Sequence, residues 1–250
     1  MKVAELTRWL DDYLRVSQVG DDPQARNGLQ VANRGEATRV AVAVDACLAV
    51  FREAASLKAD FLIVHHGVFW GGIEPLTGRN HARVTSLLDA GIALYGAHIP
   101  LDIHPDVGNN ALLAGLLGIP VAGAWGEYYG TASAIWGERA IERDELARQM
   151  ARVLGVAPRV LACGPVHARR IGVVTGAGGS LIAEAAALGL DTLVTGEGKH
   201  HSYFDAEELG VNVLYGGHYA TETLGVRALG ERLTREFQLP CTFIDHPTGL

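Results

Sequence analysis

Two adjacent histidines, His65 and His66, follow the apolar run FLIV (61–64) and precede Gly67. The run is typical of a buried strand, and the carboxyl end of such a strand is where open α/β sheets bind ligands. Consecutive strand residues point to opposite faces, so both imidazoles reach one place only if the strand ends there, which Gly67 permits. The alternative is a pair of loop histidines that are hydrogen-bonded to the backbone.

Two H-x-x-x-[D/E] pairs follow runs that end in Leu-Tyr-Gly: His98 with Asp102, and His218 with Glu222. Residues four apart share one face of a helix and can contact a common ion. Pro100 interrupts a helix in the first pair, so the prediction is stronger for the second. Imidazole with carboxylate suits zinc, iron or manganese, whereas calcium prefers an all-oxygen set of ligands.

Together these residues predict a centre for two divalent metal ions, with two or three donors to each ion if one carboxylate bridges. The predicted ligands are His65, His66, Asp102, His218 and Glu222. Ions roughly 3.5–4 Å apart can activate water and polarise a substrate oxygen together. The remaining candidates for acid–base or supporting roles are His98, Glu197, His104, His200 and His201. For the last two, a polar loop is the alternative.

A glycine-rich run, TGAGGS (175–180), follows one predicted strand and leads into a predicted helix. Backbone amides at a glycine-rich helix start can hold a phosphate. The run lacks the dinucleotide spacing and the P-loop lysine, so we favour a tight turn between strand and helix.

The elements that must position these residues alternate between β-rich runs and segments with helical spacing. Predicted strands lie at 40–44, 61–64, 92–95, 171–175, 192–195 and 211–215, and predicted helices lie at 48–57, 181–188 and 223–233. An amphipathic helix through Leu6, Leu10 and Leu14 opens the chain. Apolar strands separated by helices favour an α/β fold with a mostly parallel sheet flanked by helices.

An internal repeat relates the two halves of the chain. Residues 40–67 align with residues 171–198 without a gap, and nine of the 28 positions are identical. The segment LYGAHIPLD (94–102) then matches LYGGHYATE (214–222). We therefore predict two similar α/β domains, 1–124 and 125–250, with the C-terminal helix packing back on the first half. Duplicated halves favour a site in the cleft between them.

Composition limits the class of protein. The 250 residues are 48% hydrophobic, and 21 basic against 28 acidic side chains give a net charge of −7. This balance excludes disorder and argues against general nucleic-acid or membrane-surface binding. The three cysteines form no CxxC pair, and we expect reduced thiols. We expect no membrane span and a cytoplasmic location, because no signal peptide or long apolar run is present.

Several motifs resemble the GTP cyclohydrolase 1 type 2 family, also called Nif-three-like dinuclear metal-centre hexameric proteins. They are NGLQV (27–31), VDA (44–46), LIVHHG (62–67), AHIPLD (97–102), TGEG (195–198) and GGHYATE (216–222). The resemblance covers nearly the whole chain and corresponds to the family's short form. It implies two α/β domains in a toroidal homohexamer, a trimer of dimers. It also places the ligands on the five predicted residues, with Glu222 shared, and permits zinc, iron, manganese or magnesium.

The function we predict is a dinuclear-metal-dependent hydrolase of a small molecule. By resemblance, its most specific form opens the guanine imidazole ring of GTP and yields dihydroneopterin triphosphate and formate. His98 or Glu197 would then move protons. Lys199, Arg79 and Arg83 would face the triphosphate. The alternatives are a hydrolase of peptide or phosphoester bonds and a non-catalytic hexamer that stores or delivers metal.

Overall fold

A computed structural model describes residues 1–72 and 75–250. From the amino terminus, the elements are α1 (Val3–Tyr13), β1 (Gly28–Val31), β2 (Val40–Asp45), α2 (Leu48–Ser56), β3 (Phe61–His66), α3 (Gly78–Ala90), β4 (Ala93–Gly96), α4 (Ile99–Asp102) and α5 (Asn109–Leu116). They continue with β5 (Val121–Tyr128), β6 (Thr131–Glu142), α6 (Arg143–Leu154), β7 (Arg159–Leu161), β8 (His167–Val173), α7 (Ile182–Ala187), β9 (Thr192–Thr195), α8 (Ser202–Leu209), β10 (Asn212–Tyr215), α9 (His218–Phe237) and β11 (Cys241–Phe243).

The chain divides into two compact units. The first unit contains residues 1–101 and 225–246, and the second contains residues 102–224 and 247–250. Helix α9 therefore begins in the second unit and ends in the first. These units are defined by their compactness, whereas the domain boundary between residues 124 and 125 is predicted from the sequence repeat. That boundary therefore stays a prediction.

The sheet of the first unit has the strand order β1-β4-β3-β2-β11. Its strands β4, β3, β2 and β11 run parallel, and β1 joins β4 antiparallel. Both β2 and β3 carry five consecutive buried residues, as expected of strands that are covered on both faces. Helix α2 contributes Val50, Phe51 and Ala54 to the core, and α3 contributes Leu87.

The sheet of the second unit has the order β5-β6-β8-β9-β10-β7. Strands β8, β9 and β10 are parallel, whereas β5, β6 and β7 join antiparallel. Tyr129 and Gly130 connect β5 to β6 with positive φ angles of 47° and 79°. Such a two-residue turn fits an antiparallel hairpin and is too short for a parallel crossover. The predicted α/β class is confirmed, and in this unit the parallel order holds for the three central strands.

The sequence repeat corresponds to the same strand register in both units. Val40 pairs with Phe61 between β2 and β3, and Ile171 pairs with Thr192 between β8 and β9. These pairs are equivalent in the gapless sequence match. A helical segment connects the strands in each case: α2 in the first unit, and a 3₁₀ turn followed by α7 in the second.

The segment around Pro100 differs from the expectation that proline interrupts a helix there. Helix α4 covers Ile99–Asp102, with Pro100 in its first turn. Proline is tolerated at that position because the missing N–H has no partner within the helix. His98 lies just before α4, whereas His218 is the first residue of α9. Among the described residues, no helix is long and apolar enough to cross a membrane.

Candidate metal centre

Three histidines of the first unit lie at the carboxyl ends of two parallel strands. His65 and His66 end β3, and His98 follows β4 by two residues. Ring centroids are 4.7 Å apart for His65 and His66, 5.1 Å for His65 and His98, and 5.8 Å for His66 and His98. One ligand atom from each lies within 4.8 Å of the others, so this group can hold a metal ion.

The hydrogen bonds of the adjacent histidines define their tautomers. His65 Nδ1 is 2.8 Å from the carbonyl oxygen of Ala97, which can only accept, so Nδ1 carries the proton. His66 Nδ1 donates to Asp45 Oδ1 at 2.9 Å. In both rings the nitrogen with a lone pair is then Nε2. Metal-binding histidines usually have this arrangement, in which a carbonyl or carboxylate holds the opposite ring nitrogen.

His98 is held on both its ring and its backbone. Its Nδ1 donates to Asp21 Oδ1 at 2.8 Å, and its backbone N–H donates to Asn27 Oδ1 at 2.7 Å. Asp21 Oδ2 accepts from Asn27 Nδ2 at 2.7 Å and from the backbone of Ile99 at 3.1 Å. Burial raises the pKa of Asp21, but the hydrogen bonds and charge from His98 and Asn27 outweigh burial and lower it overall.

Gln30 supports the loop that follows the two histidines. Its Oε1 accepts from the backbone of Val68 at 2.8 Å, and its Nε2 donates to the carbonyls of Ala25 and Arg26. A Cβ atom at Gly67 would overlap the Gln30 amide. Glycine at position 67 therefore leaves room for the Gln30 amide in this position.

Trp70 lies beside the histidines of the first unit, and Arg83 contacts the residue that follows β2. The indole of Trp70 contacts His98 edge-on at 4.7 Å and His66 at 5.8 Å, and 44% of the residue is exposed. Arg83 donates to the carbonyl of Ala46, one residue beyond β2. Burial and the like charge of Arg79 lower the pKa of Arg83.

In the second unit, His218 lies between two carboxylates. Its Nδ1 is 2.9 Å from Glu197 Oε1, and its Nε2 is 3.1 Å from Glu222 Oε2. The second contact is the one-turn spacing that the sequence predicts for the start of a helix. Burial lowers the pKa of His218, but hydrogen bonds and charge from Glu222 and Glu197 outweigh burial and raise it to about 9.

Glu222 is buried against a glycine. Only 2% of Glu222 is exposed, and a Cβ atom at Gly176 would overlap its Oε1. Gly176 also has a φ of +65°, which side chains with a Cβ rarely adopt. The glycine therefore provides both the backbone conformation and the space for the carboxylate.

Asp102 belongs to a buried polar network of the second unit. Its Oδ1 accepts from Asn109 Nδ2 at 2.8 Å and from Thr175 Oγ1 at 3.1 Å. Asn110 Oδ1 accepts from the backbone of Thr175 at 2.9 Å, and Asn110 Nδ2 donates to the carbonyl of Ser133 at 2.7 Å. The network ties this predicted ligand to the turn after β8.

The glycine-rich run forms the tight turn that the sequence favours. The amide of Gly176 donates to Thr221 Oγ1 at 3.1 Å, that of Gly178 donates to Thr195 Oγ1 at 3.0 Å, and that of Gly179 donates to the carbonyl of Glu197 at 3.0 Å. Because these three amides have partners within the unit, they do not fit a phosphate cradle.

The remaining candidates have local roles. His104 Nδ1 accepts from the backbone amides of Asp106 and Val107, an arrangement typical of a turn. His200 and His201 are exposed just before α8, as in the polar-loop alternative, and the ring of His200 contacts Phe204 at 6.0 Å.

Comparison with known proteins identifies the family of the chain that carries this site. The model for Duf34/NIF3 (NGG1p interacting factor 3) matches residues 1–248. The chain belongs to the Duf34/NIF3 family. The resemblance drawn from the sequence motifs is thereby confirmed.

Relatives of this NIF3-family chain match it over its whole length. A protein of Deinococcus radiodurans named GTP cyclohydrolase 1 type 2 homolog is 42% identical over 98% of this chain and 94% of its own length. A protein of the same name from Halobacterium salinarum is 43% identical over 100% of both chains. The crystal structure of TTHA1606 from Thermus thermophilus is 40% identical, covers 100% of both chains and has a TM-score of 0.91.

The donor set fits a divalent metal of the transition series. In each unit, imidazoles whose Nδ1 is held by an acceptor occur at the strand ends, and the second unit adds the buried carboxylates of Asp102 and Glu222. Mixed nitrogen and oxygen donors suit zinc, iron or manganese. The NIF3-family chain thus has side chains that can bind metal.

Sequence reasoning missed several residues that support the candidate ligands and the loop after them. Asp45 and Gln30 stand in the VDA and NGLQV motifs, and these motifs were the available signal. Asp21 and Thr175 had none, because Asp21 stands in a polar turn and Thr175 opens a run that is notable for its glycines. Their roles depend on contacts between residues that are distant in sequence, such as the 77-residue separation of Asp21 and His98.

Proposed function

We propose that this NIF3-family chain is a hydrolase that depends on two divalent metal ions. The observation that carries the proposal is the shared state of four histidines, which are His65, His66, His98 and His218. Each has its Nδ1 against a carbonyl or carboxylate oxygen, which leaves Nε2 as the proposed ligand or proton-transfer atom, and the Nε2 of His218 also faces Glu222 Oε2. A single histidine with this contact is common, whereas four that end or follow the strands β3, β4 and β10 favour a site.

The proposed ligands are the five that the sequence predicts: His65, His66, Asp102, His218 and Glu222. Glu222 is proposed as the ligand common to both ions. When bound, such ions supply Lewis-acid polarisation of a substrate oxygen and lower the pKa of water. The protein holds the ligand side chains in place through Ala97, Asp45, Glu197 and Thr175.

Proton movement is proposed for His98 and Glu197. Water addition to a purine C8 and cleavage of the ring require proton removal from water and proton delivery to the departing nitrogen. His98 presents Nε2 for this task because Asp21 occupies Nδ1. Glu197 contacts His218 through Oε1, and its side chain is 45% exposed, so it can exchange protons with solvent.

The substrate we propose is a nucleotide, with GTP as its most specific form. Support comes from the relatives named GTP cyclohydrolase 1 type 2 homolog. Arg79 and Arg83 of α3 and the exposed Lys199 are the basic side chains proposed to face the triphosphate. Local cations are needed because the whole chain carries a net charge of −7.

Formate release tests the proposal. The protein is stripped with a chelator, reloaded separately with Zn²⁺, Fe²⁺ or Mn²⁺, and incubated with GTP while formate and the pterin product are measured. We expect release in at least one metal-loaded sample and none in the stripped protein or in metal-loaded His65→Ala. Metal-loaded His167→Ala, which alters an exposed histidine at the amino end of β8 and not at a carboxyl end, serves as the matched control.

Absence of formate from every metal-loaded sample contradicts the cyclohydrolase form. Cleavage of a peptide or phosphoester panel by the same samples would then support another hydrolase. Tight metal binding with no turnover of any substrate would favour a protein that stores or delivers metal. Metal content that is equal in wild type, His65→Ala and Glu222→Ala would refute the ligand assignment.

We also propose that the chain works as a homohexamer. Support comes from the family resemblance, and sedimentation at several protein concentrations tests it. A species near six times the 26.6 kDa chain mass is expected. A monomer or dimer at all concentrations contradicts the proposal.

A further inference from the structure

Asp21 is a buried carboxylate whose hydrogen bonds converge on one histidine. Its side chain is 5% exposed and that of His98 is 13% exposed. One oxygen bonds the His98 ring, and the other bonds Asn27 and the backbone of Ile99, the residue after His98. Asn27 completes the ring of contacts by accepting from the His98 backbone.

The neighbouring aspartate offers an internal comparison. Asp22 Oδ1 accepts from the backbone of Gln24 at 2.8 Å, which is a local turn contact. Asp21 also accepts locally, from the backbone of Asp22 at 2.7 Å, but in addition bonds to residues 77 and 78 positions away. Two adjacent aspartates of the same turn therefore make different side-chain contacts, and those of Asp21 reach the candidate metal centre.

The His98 ring is also packed on its remaining sides. The rings of His65 and His66 and the indole of Trp70 lie 4.7–5.8 Å from it, centroid to centroid. Packing of this kind opposes a ring flip, and the Asp21 carboxylate selects the tautomer with a proton on Nδ1. The geometry of the ring and the position of its proton are thus determined together.

We infer that Asp21 is a positioning residue that holds His98 in the Nδ1-protonated tautomer with Nε2 directed toward the site. The tautomer follows from the geometry alone. Its consequence for turnover rests on the proposed function, in which His98 Nε2 handles a proton. Replacement of such a supporting carboxylate typically costs about 10- to 100-fold in activity.

Nitrogen NMR of the zinc-loaded full chain tests the tautomer directly. The protein is labelled with ¹⁵N only in histidine, and the His98 signals are assigned by their loss in His98→Gln. We expect a protonated Nδ1 in wild type and in Asp22→Asn, the matched control. In Asp21→Asn we expect a mixture of tautomers or the Nε2-protonated form, because the amide oxygen is best placed against the two donors Asn27 Nδ2 and Ile99 N, which leaves the amide nitrogen to donate to His98 Nδ1.

A second variant, Asn27→Ala, keeps the test possible if Asp21→Asn does not fold. Asn27→Ala removes the acceptor for the His98 backbone and one donor to Asp21, but leaves the carboxylate against Nδ1. We expect a smaller change in the same His98 signals. Wild-type His98 signals in folded Asp21→Asn would overturn the inference, and so would the Nε2-protonated form in Asn27→Ala, which keeps the Asp21 carboxylate.

Turnover separates this inference from the proposed function. If wild type releases formate from GTP, we expect Asp21→Asn to lower kcat about 10- to 100-fold, with KM within about twofold and unchanged metal content. A changed tautomer with unchanged kcat would overturn the role in turnover. If wild type releases no formate, the proposed function fails, and the NMR result still decides the role of Asp21.

Discussion

Asp60 stands before β3 and Asp191 stands before β9, and the two carboxylates make the same contact. Asp60 accepts from the backbone amide of Arg39 at 3.0 Å, and Asp191 accepts from that of Arg170 at 3.0 Å. Each aspartate also donates its own amide to the carbonyl of that arginine, at 3.0 Å in both units. At the amino ends of these strands, the two halves of the repeat are alike.

The carboxyl ends of the same strands differ. His66 of β3 aligns with Glu197, and Asp45 of β2 aligns with Gly176. In the first unit Asp45 therefore holds the His66 imidazole, whereas in the second unit the glycine leaves space for Glu222. The two halves keep the same register between these strands and differ in the side chains at the carboxyl ends.

The amino ends of the repeated strands thus carry side chains that support folding, whereas the carboxyl ends carry the side chains proposed for function. A carboxylate that caps backbone amides serves the strand pair, so the same residue works in both halves. At the other end, identical residues would give two identical donor sets. The substitutions give one unit rich in imidazole and another rich in carboxylate.

Substitution of the predicted ligands gives the largest expected effect. We expect His65→Ala to lower bound metal by one equivalent per chain and Glu222→Ala to lower it by two, because Glu222 is the proposed shared ligand. Elemental analysis of purified and metal-reloaded protein measures this. Retention of both equivalents in Glu222→Ala would show that the carboxylate-rich unit is not a metal site.

The contrast between Asp45 and Gly176 is tested by Gly176→Ala. We expect a loss of about 3 kcal/mol, since the new Cβ adds overlap with Glu222 to the strain of a positive φ. Gly210→Ala is the matched control, because its φ of +68° is similar and nothing lies near its Cβ. The control should lose about 1 kcal/mol. Thermal unfolding of the metal-free proteins compares them, and equal losses would contradict the packing argument.

Asp45→Asn and Glu197→Gln test whether the two units hold their imidazoles equivalently. Each variant weakens the acceptor for a histidine Nδ1, so each should lower metal affinity about 10-fold with little change in thermal stability. Competition with a chromophoric chelator gives the affinities. An effect confined to one variant would mean that only one unit binds the ion tightly.

The sequence predicted the positions of the strand ends and the residue types they carry, because these follow from apolar periodicity and the repeat. It did not predict the partners of the histidines. Asp21 contacts His98 only in the folded chain, and the carbonyl of Ala97 contacts His65 only there as well. The hydrogen-bond ladder also differs from the motif match by one residue, since Leu62 pairs with Leu94 and Leu193 with Val213. His218 therefore lies five residues after the partner of Leu193, whereas His98 lies four residues after the partner of Leu62. The alignment alone could not reveal this difference.

The smallest expected effect concerns the amino ends, where the two units are alike. Asp60→Asn and Asp191→Asn should each cost about 1 kcal/mol, because each replaces a charged acceptor of backbone amides at a half-buried position. In a chain of this length that corresponds to a fall of about 2–4 °C in Tm. The double variant should lose the sum, since the two sites share no partner, and metal content should stay at the wild-type level. A loss of metal in either single variant would mean that the amino ends also serve the metal centre, and the separation of folding from function would fail.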